Sequence, residues 1–479
     1  MKIITKTNRT DPVRFWRPGG VVMKILGCCF WGVCAGWFAV TDAAGADGND
    51  SISAPVDEWR AESAARIEKH RKNDVRIVVT RAGKPVQGAK VAVVMKRHEF
   101  LFGCNIFKWN ACSSPAENEA YSRQFAELFN FATLPFYWQS YEPEKDNTAK
   151  AQARNEQIAA WCAGKGIRTK GHPLAWNYHD PAWTKDVDDA ELFRRQINRV
   201  TDCVQRFHGS IDVWDVINEV AKWDRDECRK QSPRLTHIME TKGAVEYVKT
   251  CFAAARAGAA KKDRPQPLLL INDYDTGDAC VTLLSKLNDD SGRPIFDATG
   301  IQSHMHGGVW NNANINAICD RFAQFGKPLH FTELTILSSR EKFTWEKRNT
   351  GVTNPADEAW QRDQVVRIYT MLFSHPSVEA ITWWDFTDQG AWMNCPAGLL
   401  REDMSPKPAY TALKNLITRE WTTNLSLTTD DTGTIRLRAF RGTYDFVVTP
   451  PADDSDKQPV PISFEGAVTC DRIISLDMD

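Results

Sequence analysis

Hydrophobic and polar positions change rhythm three times along the chain. From Asp74 every second residue is apolar: Val75, Ile77 and Val79, then, after the turn Ala82-Gly83-Lys84-Pro85, Ala89, Val91 and Val93. A period of two predicts short antiparallel strands with one buried face. The end of the chain repeats the habit, with Leu425 and Leu427, Ile435, Leu437 and Ala439, then Phe446 and Val448. Small β modules are therefore expected over residues 55–97 and 419–479. Between them the pattern differs. Short apolar or β-branched runs begin near Glu99, Glu127, Gly166, Ile211, Pro267, Gly300, Pro328 and Glu379, about 40 residues apart on average. Helix-like stretches separate them, for example Ala151 to Ala163, Ala190 to Phe207, Ala244 to Ala260, Asp357 to Phe373 and, last, Pro406 to Leu416. Eight strands alternating with eight helices over residues 98–418 fit the α/β class as a (β/α)8 TIM barrel. A doubly wound sheet is the alternative. Its nucleotide-binding form lacks a phosphate loop here, because no strand is followed by a G-x-G-x-x-G or G-x-x-x-x-G-K-[ST] run.

The first 46 residues follow another logic. Six basic side chains lie in Met1 to Lys24, sixteen uncharged residues run from Ile25 to Val40, and Ala44-Gly45-Ala46 has the form of a cleavage site. This is the layout of a secretory signal peptide, and implies a secreted or periplasmic protein with no membrane contact after cleavage. An uncleaved anchor is the alternative; a lipoprotein at Leu26-Gly27-Cys28 is a third. Residues Asp47 to Pro55 are small and polar, a linker.

Composition narrows the classes. The chain has 479 residues, 60 Lys and Arg against 61 Asp and Glu, and 42% hydrophobic residues. These are globular values, which exclude disorder and collagen-like repeats. A formal charge of −1 argues against nucleic acid as partner. Loss of residues 1–46 removes six basic and two acidic groups and takes the charge to −5. Ten cysteines remain, none in a C-x-x-C pair, so neither structural zinc nor a disulfide framework is expected. Eighteen residues are Trp, three of them in the leader.

In such a barrel the chemistry sits at the C-terminal ends of the strands. Strand three ends on His172, with Trp176 and Asn177 beyond it; strand four on Asn218 and Glu219; strand five on Asn272, Asp273 and Tyr274. Strand six ends on Gln302, Ser303 and His304, strand seven on Thr332 and Glu333, strand eight on Trp383, Trp384 and Asp385 with Trp392 close behind. A barrel brings Glu219 and Glu333 together across its mouth. Two carboxyls among amides and Trp rings suit glycosidic cleavage: one protonates the leaving oxygen, the other meets the oxocarbenium-like carbon. His304 and His306 lie two apart on a strand, yet no third metal ligand is evident, so no metal or other cofactor is expected.

Six segments in order carry a resemblance: Gly-His-Pro-Leu-Ala-Trp from Gly171, Trp-Asp-Val-Ile-Asn-Glu from Trp214, Ile-Asn-Asp-Tyr from Ile271, Gly-Ile-Gln-Ser-His from Gly300, Thr-Glu-Leu from Thr332 and Lys-Pro-Ala-Tyr from Lys407. The chain resembles glycoside hydrolase family 10, the endo-β-1,4-xylanases. The resemblance implies a retaining mechanism, with Glu219 as acid/base, Glu333 as nucleophile and their carboxyls ~5–5.5 Å apart. It implies that Asn218 binds a substrate 2-hydroxyl, that Gln302 and His304 support the nucleophile, and that His172, Trp176, Trp384 and Trp392 line the sugar subsites. Glu219 should be protonated before cleavage, helped by burial and nearby negative charge. Trp138 and Trp214 are expected beneath the site.

Departures from the family are local. The second strand should end in an acid, an amide and a Lys; here Tyr137 stands where Lys is expected. Thr335 replaces a common Asp, His179 a Gln, and Asp385 and Gln389 also differ. The expected protein is a secreted, monomeric, retaining endo-1,4-β-xylanase acting on xylan or a related hemicellulose; the departures raise, as the alternative, a glycosidase of the same fold that prefers a decorated or different β-1,4-linked polysaccharide. A non-catalytic polysaccharide-binding protein remains the further alternative.

Overall fold

A computed structural model describes residues 58–260, 265–340, 343–344, 353–451, 462–468 and 472–478. All belong to the unit Phe38–Asp479. The expected leader and linker, and Cys470, lie outside the described residues.

Eight parallel strands close into a ring: Leu101–Asn105, Phe131–Pro135, Arg168–His172, Val213–Asn218, Leu268–Asp273, Ala298–Ile301, Leu329–Leu334 and Val378–Trp383. They are called barrel strands one to eight below. Strand eight pairs with strand one, Ala380 opposite Leu101 and Trp383 opposite Cys104, which completes the (β/α)8 barrel. Strands four and seven are buried along their whole length, and their polar members Asp215, Asn218, His330, Thr332 and Glu333 are buried with them. At the foot of the barrel Leu101, Phe131, Val213, Leu270, Ala298 and Ala380 pack together inside the ring.

The helices start where their caps dictate. Ser114 accepts from the Glu117 N–H, Glu117 reaches back to the Ser114 N–H, and Pro115 opens helix Pro115–Leu128. Asp188, Asn311 and Asn354 cap Asp189–Arg206, Asn312–Ala323 and Pro355–Ser374. The expected helix bounds move by one or two residues at most ends. After strand four the chain inserts two extra helices, Asp226–Gln231 and Pro233–Lys242, before Ala244–Gly258.

The chain ends do not form two separate β modules. Lys72–Arg81 pairs antiparallel with Thr434–Phe440 and parallel with Arg472–Asp477. Lys90–His98 lies between Asn424–Thr428 and Gly442–Thr449, with Ile462–Val468 beyond. The two sheets share one core of Val75, Ile77, Val79, Val91 and Val93 from one end and Ile435, Tyr444, Phe446 and Val448 from the other. The reason is burial: a lone hairpin cannot cover its apolar face, and the other terminus supplies the missing cover. A helix, Glu58–Arg71, precedes these strands. Its last residue, Arg71, is buried and donates to the carbonyls of Phe373, His375 and Val378. Val378 begins strand eight, so this contact fixes the β layer to the N-terminal end of the barrel, away from the strand ends considered next.

Among the described residues Cys104, Cys112, Cys162, Cys203, Cys228, Cys251, Cys280 and Cys319 carry free thiols. Among the described residues no helix is long and apolar enough to cross a membrane.

Candidate active site

Strand three places Lys170 and His172 on one face, two residues apart, and both meet Asp215 of strand four. Lys170 Nζ donates to Asp215 Oδ2 at 2.8 Å, and His172 Nδ1 lies 2.7 Å from the same oxygen. All three are fully buried. Burial pushes the Asp215 carboxyl up, but Lys170 and His172 outweigh it and hold the group below the ordinary carboxylate range. Between them Gly171 leaves space for Trp214: a Cβ there would sit 2.2 Å from the indole. Trp214 thus lies under the site as packing, while Trp138 is buried with its Nε1–H donating to Glu142 and its ring against Trp183.

Strand four ends on Asn218, and Glu219 turns out of the strand with φ +56°. That left-handed backbone is uncommon for a residue with a side chain and marks a constrained position. Glu333 is the last residue but one of strand seven and is 3% exposed. An unbroken chain of side-chain hydrogen bonds joins the two glutamates. Asn272 Nδ2 donates to Glu333 Oε1 at 2.7 Å and to Asn218 Oδ1 at 2.9 Å. Gln302 Nε2 donates to Asn218 Oδ1 at 3.2 Å and to Glu219 Oε1 at 3.0 Å. The Asn218 oxygen is therefore occupied by two donors, and its own NH2 is the group left to offer outward.

Glu333 is held at both oxygens. Besides Asn272, His304 Nε2 lies 3.0 Å from Oε2; His304 Nδ1 meets the Thr335 hydroxyl at 2.9 Å. The His172 Nε2 is 3.8 Å from Oε1. Burial works to raise the Glu333 carboxyl; His172 and the bonded His304 oppose it and leave the group below its ordinary range. An ionised carboxylate in a buried pocket suits a nucleophile.

Glu219 meets a different neighbour from the one expected. Arg225, six residues on, folds back and pairs with Glu219 Oε2. Its guanidinium stands 5.4 Å from the ring centres of both Tyr178 and Tyr274. The charge in contact with Glu219 is thus the Arg225 cation, which the sequence did not lead one to expect. Gln302 also differs in detail: its side chain holds Glu219, while its carbonyl accepts the Glu333 N–H at 3.0 Å.

Aromatic rings wall the site. Trp384 sets its edge against Phe107, His172 and His304, with centroids 5.5, 5.5 and 5.8 Å away. Trp392 lies 4.6 Å from His304. Tyr137 stands 5.3 Å from His172 and 6.0 Å from Trp176, and Trp176 stacks on Tyr178 at 4.8 Å. The structure thus gathers His172, Trp176, Asn218, Gln302, His304, Trp384, Trp392 and Tyr137 around the glutamate pair.

The profile of glycosyl hydrolase family 10 matches residues 91–416. The chain belongs to this family. It is similar to the anti-sigma-I factor RsgI6 of Acetivibrio thermocellus, 26% identical over 403 residues that make 82% of this chain and 47% of that protein. It is also similar to an endo-1,4-beta-xylanase of Geobacillus stearothermophilus, 26% identical over 65% of this chain and 96% of the relative. Of several other curated relatives, including endo-1,4-beta-xylanase 5 of Arabidopsis thaliana, the chain spans about half the length. Among solved structures, xylanase 10B of Thermotoga petrophila RKU-1 in complex with xylobiose aligns with a TM-score of 0.53 and 22% identity, over 67% of this chain and 95% of that one. That likeness is one of fold.

Three residues of this family 10 site escaped the sequence reading. Asn272 was visible as a strand end, and its place between Asn218 and Glu333 needed the barrel's curvature. Asp215 lay inside a matched segment but read as strand interior. Arg225 lies in an irregular turn, where spacing says nothing about which side chain returns to the strand end.

Proposed function

We propose that the chain is a retaining glycoside hydrolase that cleaves internal β-1,4 bonds of xylan or a related hemicellulose, exported by its N-terminal segment and active as a monomer. The observation that carries this is the hydrogen-bonded path Glu333–Asn272–Asn218–Gln302–Glu219, which sets two carboxyls of unlike environment at one barrel mouth. In the first step a Glu333 oxygen bonds to the anomeric carbon as the glycosidic C–O bond breaks, and Glu219 gives its proton to the departing oxygen. In the second, water attacks the same carbon, Glu219 takes the water's proton, and the Glu333 ester is released. Two inversions at one carbon give net retention. Asn218 NH2 is placed for the 2-hydroxyl of the reacting sugar, and Trp384 and Trp392 for its flat C–H faces. The two-carboxylate chemistry calls for no metal or organic cofactor.

Tyr137 favours a second reading of the substrate. Where a family Lys would grip hydroxyls, this chain packs Tyr137 against Phe107, His172 and Trp176. That wall suits a sugar with fewer free hydroxyls, or another β-glycan. Reducing-sugar release from xylan, arabinoxylan, mixed-linkage glucan and cellulose separates the readings. Glu219→Gln and Glu333→Gln should each lose more than ~100-fold on the preferred polymer. Full activity in either variant sinks the assignment; binding to every polymer with hydrolysis of none would favour a carbohydrate-binding protein instead.

A further inference from the structure

Asp273 ends strand five beside the reacting groups, is 3% exposed, and has no part in the two-glutamate reaction. Both of its carboxyl oxygens are nonetheless engaged, and both by main chain. Oδ2 accepts the Ala221 N–H at 2.8 Å and Oδ1 the Asp275 N–H at 2.9 Å. One carboxylate thus ties the turn that follows Glu219 to the turn that follows strand five. The residue between Glu219 and Ala221, Val220, is buried, and Glu219 itself is held left-handed with its N–H on the Asn272 carbonyl at 2.8 Å. The main-chain carbonyl of Asp273 accepts the Gln302 N–H at 3.0 Å, and it is the Gln302 side chain that holds Glu219 Oε1. Two routes from Asp273 therefore converge on one carboxyl group.

We infer that Asp273 is a positioning residue for proton transfer by Glu219: it holds the strained turn that aims the carboxyl at the leaving oxygen. This rests on the reading of Glu219 as acid/base. A left-handed non-glycine residue persists only where its surroundings over-determine it, and Asp273 supplies a bond two residues beyond the strained one, at Ala221. Asn cannot replace it. An amide has one acceptor oxygen, and its NH2 would face an N–H donor at Ala221 or at Asp275.

The test uses the leaving group. Xylan has a poor leaving group and needs the proton; dinitrophenyl β-xylobioside departs as a stable phenolate and does not. For Asp273→Asn, kcat/KM on xylan should fall roughly 30-fold or more, while kcat/KM on the aryl substrate stays within about threefold, since misaiming a general acid costs on the order of 10–100-fold. Equal losses on both substrates would mean a merely structural role and overturn the inference. Ala221→Pro removes the same hydrogen bond from the other side and should show the same split, so the question stays answerable where Asp273→Asn does not fold. Glu219→Gln measured alongside separates the two claims. If it shows no split, the reading of Glu219 fails; if it shows the split and neither Asp273→Asn nor Ala221→Pro does, only the role of Asp273 fails.

Discussion

Arg225 rests its guanidinium on the Glu219 carboxylate, framed by the rings of Tyr178 and Tyr274. Gln302 donates to the other oxygen. Proton delivery in the first half of the proposed reaction requires this carboxyl to reach the leaving oxygen, so Arg225 helps to set where it points. Arg225→Met should lower kcat/KM on the polysaccharide roughly 10-fold or more, because general acid catalysis depends on that alignment. Arg225→Lys keeps a cation beside Glu219 and should lose less. Equal kcat/KM for parent and Met variant would remove Arg225 from the account.

Thr335 supports His304, which in turn holds Glu333. Thr335→Val keeps the shape and deletes the hydroxyl. The loss of one neutral hydrogen bond is worth about 1 kcal/mol, so kcat should fall roughly fivefold with little change in KM. An unchanged kcat would show that His304 is oriented by its ring packing against Trp384 and Trp392 alone.

Stability should carry a pH signature from buried carboxyls. Burial pushes Asp180 and Asp385 each up to about 7. Their pKa in the unfolded chain is near 4, so the folded state holds these protons more tightly. Their contribution is fully present below about pH 4 and is lost as pH rises towards 7, at most ~1.4 kcal/mol per unit and per group. Asp385 accepts the Trp392 N–H with Oδ1 while its Oδ2 has no partner. Between pH 4.5 and pH 7.5 the melting temperature of Asp385→Asn, which no longer titrates, should rise relative to that of the parent. Identical pH dependence in parent and variant would contradict the assignment.

Arg71 is the buried rivet between β layer and barrel. Arg71→Met leaves three carbonyls without their donor, and each buried loss costs about 1–3 kcal/mol. Chemical denaturation should show a loss of several kcal/mol, or the β layer unfolding in a separate earlier transition. A variant as stable as the parent would mean that the ring contacts of Phe373 with Trp421, 4.3 Å between centroids, and with Phe440, 6.2 Å, suffice.

The barrel was legible because each of its strands is a local event. An apolar run such as Val213–Asn218 between two helices predicts its own position, and parallel βαβ order leaves little choice of neighbours. Glu219 and Glu333 followed, since they end two such strands. The terminal β layer was legible only by face. Alternation in Val75, Ile77 and Val79 shows which side is buried, but not that Lys72 lies opposite Phe440, more than 300 residues away. The site's finer contacts failed for a related reason. That Arg225 returns to Glu219, and that Asn272 bridges to Glu333, depends on turn geometry and barrel curvature, which a linear spacing does not encode.

The central claim is that Glu333 forms a covalent bond to the sugar and Glu219 serves it as acid and base. Incubation with a 2-deoxy-2-fluoro dinitrophenyl β-xylobioside, whose glycosyl-enzyme turns over slowly, followed by peptide mass spectrometry, tests this directly. The account predicts one added fluoro-xylobiosyl group, located on the peptide that contains Glu333 and absent in Glu333→Gln. An adduct on another residue, or hydrolysis of xylan to product of inverted anomeric configuration with no adduct, would contradict it.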